Sequence, residues 1–167
     1  MKANMLRRTM LHALGLAPFA AQAQGSAWPD RPLRVVVPYS AGGGTDITAR
    51  AATQRMAPDL GQPVVVDNRA GANTAIGAEF VARARPDGTT LIVSGSTTFV
   101  LLPLLSRTLP YRPADFAPIS RLTEFPMAAV VGTGVQGGFT ELMERVRRAP
   151  ADFTYAHTGI GSSGHLM

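Results

Sequence analysis

The sequence predicts an α/β fold with a mostly parallel sheet and helices on both faces. Three observations carry that prediction. Short apolar runs without polar alternation recur at residues 33–37, 63–68 and 90–93, as in strands covered on both sides. Helical patterns separate them, giving the order β-α-β-α-β. Each run leads into a polar or Gly-rich loop, and in such sheets ligands sit off the C-terminal ends of the strands.

Trp28, Pro29 and Pro32 make a stiff lead-in to the first strand. The turn at residues 40–44 contains Gly42, Gly43 and Gly44, and Thr45 and Asp46 are residue types that cap a helix. A helix follows over about 46–57, ended by Gly61. After the second strand, Gly71 marks a loop, and a second helix runs over about 74–84 with Ile76, Phe80 and Ala84 as its apolar stripe. Glu79 and Arg83 form a surface pair on it. Pro86, Asp87 and Gly88 turn the chain into the third strand, which leads to Ser94, Ser96 and Thr97. The proline-rich stretch 101–118 predicts one short helix and an irregular crossing. Residues 119–124 and 127–131 read as extended, 132–138 as a loop, 139–149 as a helix and 153–157 as a final strand.

Composition narrows the function. The 167 residues are 46% hydrophobic and 16% charged, enough for a core in one domain or two small ones. The absence of cysteine excludes disulfides and thiolate metal sites. Of the net charge of +5, Lys2, Arg7 and Arg8 supply three within an acid-free start. The remainder carries no basic face for nucleic acid.

Residues 1–23 read as an export signal: a positive start, a small-residue apolar run from Met10, and a cleavage motif at Ala21-Gln22-Ala23. Arg7-Arg8 also has the form of a twin-arginine signal, so both export routes stay open. The expected compartment is the periplasm.

Gly159, Gly161 and Gly164 match the G-x-G-x-x-G pattern of dinucleotide sites. A nucleotide-dependent α/β enzyme using 159–164 as a phosphate loop is therefore the alternative reading. A GK[ST] phosphate loop and a G-x-S-x-G elbow are both absent. His157 and His165 alone are too few for a metal site.

Five segments taken together carry a resemblance: WPDRPLRVVVPYSAGGGTDITAR, GQPVVVDNRAGA, ARPDGTTL, LPYRPADFAPIS and FTYAHTGIGSSGHL. In order and spacing they resemble the Bug-type extracytoplasmic solute receptors, the binding components of tripartite tricarboxylate transporters. The resemblance implies a two-lobed, Venus-flytrap fold of the periplasmic-binding-protein type. It implies a small carboxylate ligand, membrane transporter subunits as partners, no cofactor and no catalysis. It assigns the ligand contacts to Tyr39, Gly42, Gly43, Gly44, Thr45 and Asp46 in the first loop. Gly71, Ala72 and Asn73 follow in the second and Ser94, Ser96 and Thr97 in the third. The second lobe's loop supplies Gly161, Ser162, Ser163 and His165. Family members are roughly twice this length, so the resemblance implies an incomplete first lobe over 24–122 and a second lobe only begun over 123–167. Poor folding and weak binding are expected of such a piece alone.

Overall fold

A computed structural model describes residues 28–135 and 137–166, so the export segment and its cleavage point lie outside the described residues. Three parallel strands, β1 (Leu33–Val37), β2 (Val64–Asn68) and β3 (Thr90–Ile92), form a sheet in the order β2-β1-β3. Leu33 pairs with Val64 and Val37 with Asn68; on the other side Val36 pairs with Ile92. The central strand is the most apolar, as its position requires: Val36 and Val37 have no exposed surface.

Two helices cover opposite faces. Helix α1 (Gly44–Leu60) places Ala49 on Val35 and Val37. Its end is set by Gly61 at φ 64°, a left-handed conformation that a side chain disfavours. Helix α2 (Ala75–Ala82) packs Ala75 and Ala78 with Leu102, Tyr111 and Ile92. At Gly77 this helix approaches so closely that a Cβ would lie 2.7 Å from Pro38 Cβ. The expected stripe of Ile76, Phe80 and Ala84 is therefore not the buried one. Ile76 is half exposed, and the small residues Ala75, Gly77 and Ala78 face inward because only they fit that approach. Phe80 instead lies under the Arg69 guanidinium, whose Cζ is 3.6 Å from the centroid of the phenyl ring.

The lead-in is pinned to the turn before β3. Trp28 Nε1 donates to Asp87 O at 3.0 Å, and Arg31 pairs with the Asp87 carboxylate. After β3, a π-helical turn (Thr97–Leu101) runs into the short helix α3 (Leu102–Leu105). Helix α4 (Phe139–Arg148) and the four-residue α5 (Ser163–Leu166) follow, with short 3-10 turns at Ala72–Thr74, Pro113–Asp115 and Pro150–Asp152.

The strand expected over 153–157 is absent, and the extended segments 119–124 and 127–131 join no sheet among the described residues. Most of their apolar residues are exposed, Val130 by 89% and Ile119 by 81%, and no ladder partner lies beside them among the described residues. Apolar β-branched composition alone does not make a strand; the backbone groups need a partner.

Candidate functional site

Three loops leave the same edge of the sheet, because all three strands run parallel. The first connects β1 to α1. Gly42 has φ 83° and Gly43 is extended at the N-cap; no side chain caps the helix. The amides of Gly44, Thr45 and Asp46 have no acceptor within the helix, and the positive end of a 17-residue helix dipole lies behind them. Gly42, Gly43 and Gly44 are exposed and Thr45 is half-buried.

Asp46 stands apart from this donor group. Its side chain is only 3% exposed. Oδ2 accepts from Arg50 Nε at 3.0 Å and from the Gly42 amide at 2.9 Å; Oδ1 accepts from Asn68 Nδ2 at 2.9 Å. Arg50 and these two further donors hold the carboxyl well below the usual carboxylate range. Asn68 Nδ2 also reaches Tyr39 O at 3.2 Å, and its Oδ1 accepts from Arg50 Nη2 at 2.9 Å. The network ties the end of β2 to the first loop. Arg50 and Asn68 lie within two of the segments that carry the resemblance, but spacing alone gives them no role; an i,i+4 acid–base pair at a helix start is the available signal.

The second loop is strained. After Gly71 at φ 135°, Ala72, Asn73 and Thr74 take φ 44°, 49° and 82°. Three successive residues with a Cβ in the left-handed region are costly, and a β-branched one is the most unusual. The bond from Thr98 Oγ1 to Thr74 Oγ1, at 2.8 Å, helps hold the conformation. Thr98 is fully buried, its hydroxyl also bonds to Ser94 Oγ, and its carbonyl accepts from Tyr111 OH at 2.6 Å. A chain of hydroxyls thus links the second loop to the third. In that third loop Ser96 is exposed and Thr97 buried. Tyr39 packs on the Val35–Val37–Ala49 cluster, and its hydroxyl lies 3.8 Å from where a Cβ on Gly95 would be.

The C-terminal loop docks on the second. Asn73 Nδ2 donates to Ile160 O at 2.8 Å, and Gly161 lies against Asn73, Leu102 and Leu105. Ser162 is buried and Ser163 begins α5. The Gly159 amide donates to His157 Nδ1 at 3.1 Å and the Gly161 amide to His165 Nδ1 at 3.2 Å. Because 153–157 is no strand and both amides are engaged by imidazoles, residues 159–164 lack the strand-to-helix geometry of a phosphate loop.

A cavity of about 920 Å³ brings part of the set together. Thr45, Ser94 and Gly95 line it, with Phe99 of the π-helical turn and Phe125. Of the expected contacts only Thr45 and Ser94 line it; Tyr39, Gly42, Gly43, Gly44, Asp46, Gly71, Ala72, Asn73, Ser96, Thr97, Gly161, Ser162, Ser163 and His165 do not. The first loop thus meets the third across this cavity, the third is bonded to the second through Thr98, and the second carries the C-terminal loop through Asn73.

Parallel strands with loops at one edge and an uncapped helix start fit the periplasmic-binding-protein type, and the superposition on solved proteins of that type makes this sheet part of one lobe. Residues 48–167 match the tripartite tricarboxylate transporter family receptor, and the chain belongs to that family. Protein BugT of Bordetella pertussis is 33% identical over 171 residues, covering 98% of this chain and 52% of BugT. MatC from Rhodopseudomonas palustris, solved with bound malate, superposes with a TM-score of 0.68 at 36% identity, over 81% of this chain and 47% of MatC. Rpa4515 of R. palustris, solved with adipate, gives 0.67 at 31% identity, over 83% and 47%. The chain spans about half the length of the curated relatives it matches.

Proposed function

We infer that the protein is an extracytoplasmic solute-binding receptor that holds a small carboxylate through main-chain amides and has no catalytic role. The observation that supports this most is the uncapped start of α1. Several amides and a helix dipole point to one exposed spot, without a side chain to satisfy them. The carboxylates bound by MatC and Rpa4515 agree with an anion there. Tyr39, Gly42, Gly43, Gly44 and Thr45, with Ser94, Ser96 and Thr97, form the contact set on this side. Gly71, Ala72 and Asn73 extend that set within the first lobe, and Gly161, Ser162, Ser163 and His165 of the second lobe form the opposing set, which approaches when a ligand is enclosed. Asp46 serves this set as a support rather than as a ligand contact. Residues 123–167 begin the second lobe, and the intended partner is the membrane part of a tripartite transporter. Residues 1–23 direct export to the periplasm, with cleavage near Ala23.

A pair of substitutions at one position tests the amide grip. Gly44→Pro removes an N–H at the first helical position, where proline suits the helix, and Gly43 already has the extended ψ of 165° that a following proline requires. Gly44→Ala keeps the N–H and meets the same Phe125 ring, 3.0 Å from the added Cβ. Titration calorimetry with succinate and adipate is expected to show binding weakened about tenfold or more for the proline variant, the loss of one charge-assisted bond. The alanine variant stays near the parent. Equal binding by both variants contradicts the reading.

A further inference from the structure

We propose that the Asn73 side chain is a latch that ties the second loop of the first lobe to the C-terminal loop and biases the receptor towards its closed form. The proposal deepens the receptor reading and rests on it, since it takes residues 123–167 as the start of the second lobe. Asn73 Nδ2 donates to Ile160 O at 2.8 Å, across 87 residues of sequence. The carboxamide sits between two glycines. A Cβ on Gly159 would lie 3.1 Å from Asn73 Oδ1, and one on Gly161 would lie 3.4 Å from Nδ2. Both glycines have positive φ, 146° and 80°, so the turn that offers the Ile160 carbonyl has a shape that side chains at 159 and 161 disfavour.

Both partners are held in place by their own loops. The Ser162 amide closes the turn onto Gly159 O at 3.0 Å, and the Gly159 and Gly161 amides donate to His157 and His165. On the other side, Asn73 has φ 49° and ψ 50°, a left-handed conformation that asparagine tolerates better than most residues with a Cβ. Thr74, 2% exposed, anchors that backbone through its bond to buried Thr98. Glycine would adopt the same backbone with less strain and would carry no donor. A strained residue whose side chain bonds a distant loop points to a role for that bond.

The side chain acts as the latch, and the main-chain amide of Asn73 stays in the contact set. Lobes that close by hinge motion exchange between open and closed forms. A bond made only in the closed form shifts that balance and slows the escape of ligand. Asn73 is therefore a positioning residue for closure.

The cysteine-free sequence makes the test direct. Spin labels on Gln54→Cys in α1 and Arg147→Cys in α4, both exposed positions, report the distance between the lobes by pulsed electron resonance. Without ligand, the labelled parent is expected to show a compact population beside an open one. Asn73→Gly lowers the compact-to-open ratio about two- to tenfold, the weight of one neutral hydrogen bond. Asn73→Asp keeps the shape and loses the donor, so it lowers the ratio too should the glycine variant not fold. Succinate leaves Asn73→Gly faster by a similar factor in surface plasmon resonance. Variants that lower the denaturation midpoint yet leave the ratio unmoved overturn the proposal, as does a ligand-free parent with no compact population. A parent that binds neither succinate nor adipate overturns the receptor reading beneath it, on a readout separate from the label distance.

Discussion

Thr98 shows how a single side chain organises the ligand edge. Its hydroxyl joins Thr74 and Ser94 while fully buried, so Thr98→Val removes two bonds at nearly constant shape. Chemical denaturation is expected to show a loss of about 1–3 kcal/mol, the cost of leaving buried partners unsatisfied. Ala72 predicts the opposite sign. It is exposed at φ 44°, so Ala72→Gly should raise stability by about 0.5–1 kcal/mol, although glycine loosens the unfolded chain. The acids set a pH dependence. Asp46, Asp87 and Asp115 are all held below the ordinary carboxylate range: Asp46 by Arg50 first, Asp87 by the Thr89 hydroxyl, Asp115 by the Arg112 amide. A carboxyl depressed on folding contributes stability that is complete above its unfolded value of about 3.9 and is lost as pH falls through its folded value. Stability is therefore expected to drop from about pH 4 downward, with a shallower acid slope in Asp46→Asn. These partners are not legible in the sequence: Asp46 stands out there as a cap or ligand contact, and only the fold shows that Asn68, 22 residues away, closes the bracket.

At the scale of elements, β1, α1, β2, α2 and β3 are legible because each combines an apolar pattern with its own punctuation. Gly61 is the simplest test. A Cβ added there would meet no atom within 4 Å, and φ is 64°, so Gly61→Ala should cost about 1 kcal/mol through backbone strain alone. Gly77→Ala should cost more, about 1–3 kcal/mol, because its Cβ meets Pro38 and the Arg69 carbonyl. The inward face of α2 escapes a sequence reading for the same reason. Ile76 and Phe80 have the larger apolar surface, yet steric approach rather than hydrophobicity decides which face of a short helix turns to a strand end. The run 153–157 misleads because a β pattern states a preference, and the ladder depends on a neighbour that sequence does not supply.

At the scale of the molecule, the motif set identifies the family, while the arrangement of its loops is not readable. Four loops expected at one ligand form a chain of neighbours instead: the first and third share the cavity lined by Thr45 and Ser94, Thr98 bonds the third to the second, and Asn73 joins the second to Gly161. Sequence order places loops at a sheet edge and gives no distance between them. The receptor account needs the first loop to hold the acid through main-chain amides at the start of α1. Backbone amide NMR during a succinate or adipate titration measures that most directly. The account predicts saturable shifts centred on Gly43, Gly44 and Thr45, with smaller ones at Ser94 and Gly95. Saturable binding that leaves those amides unmoved and perturbs residues elsewhere would contradict it.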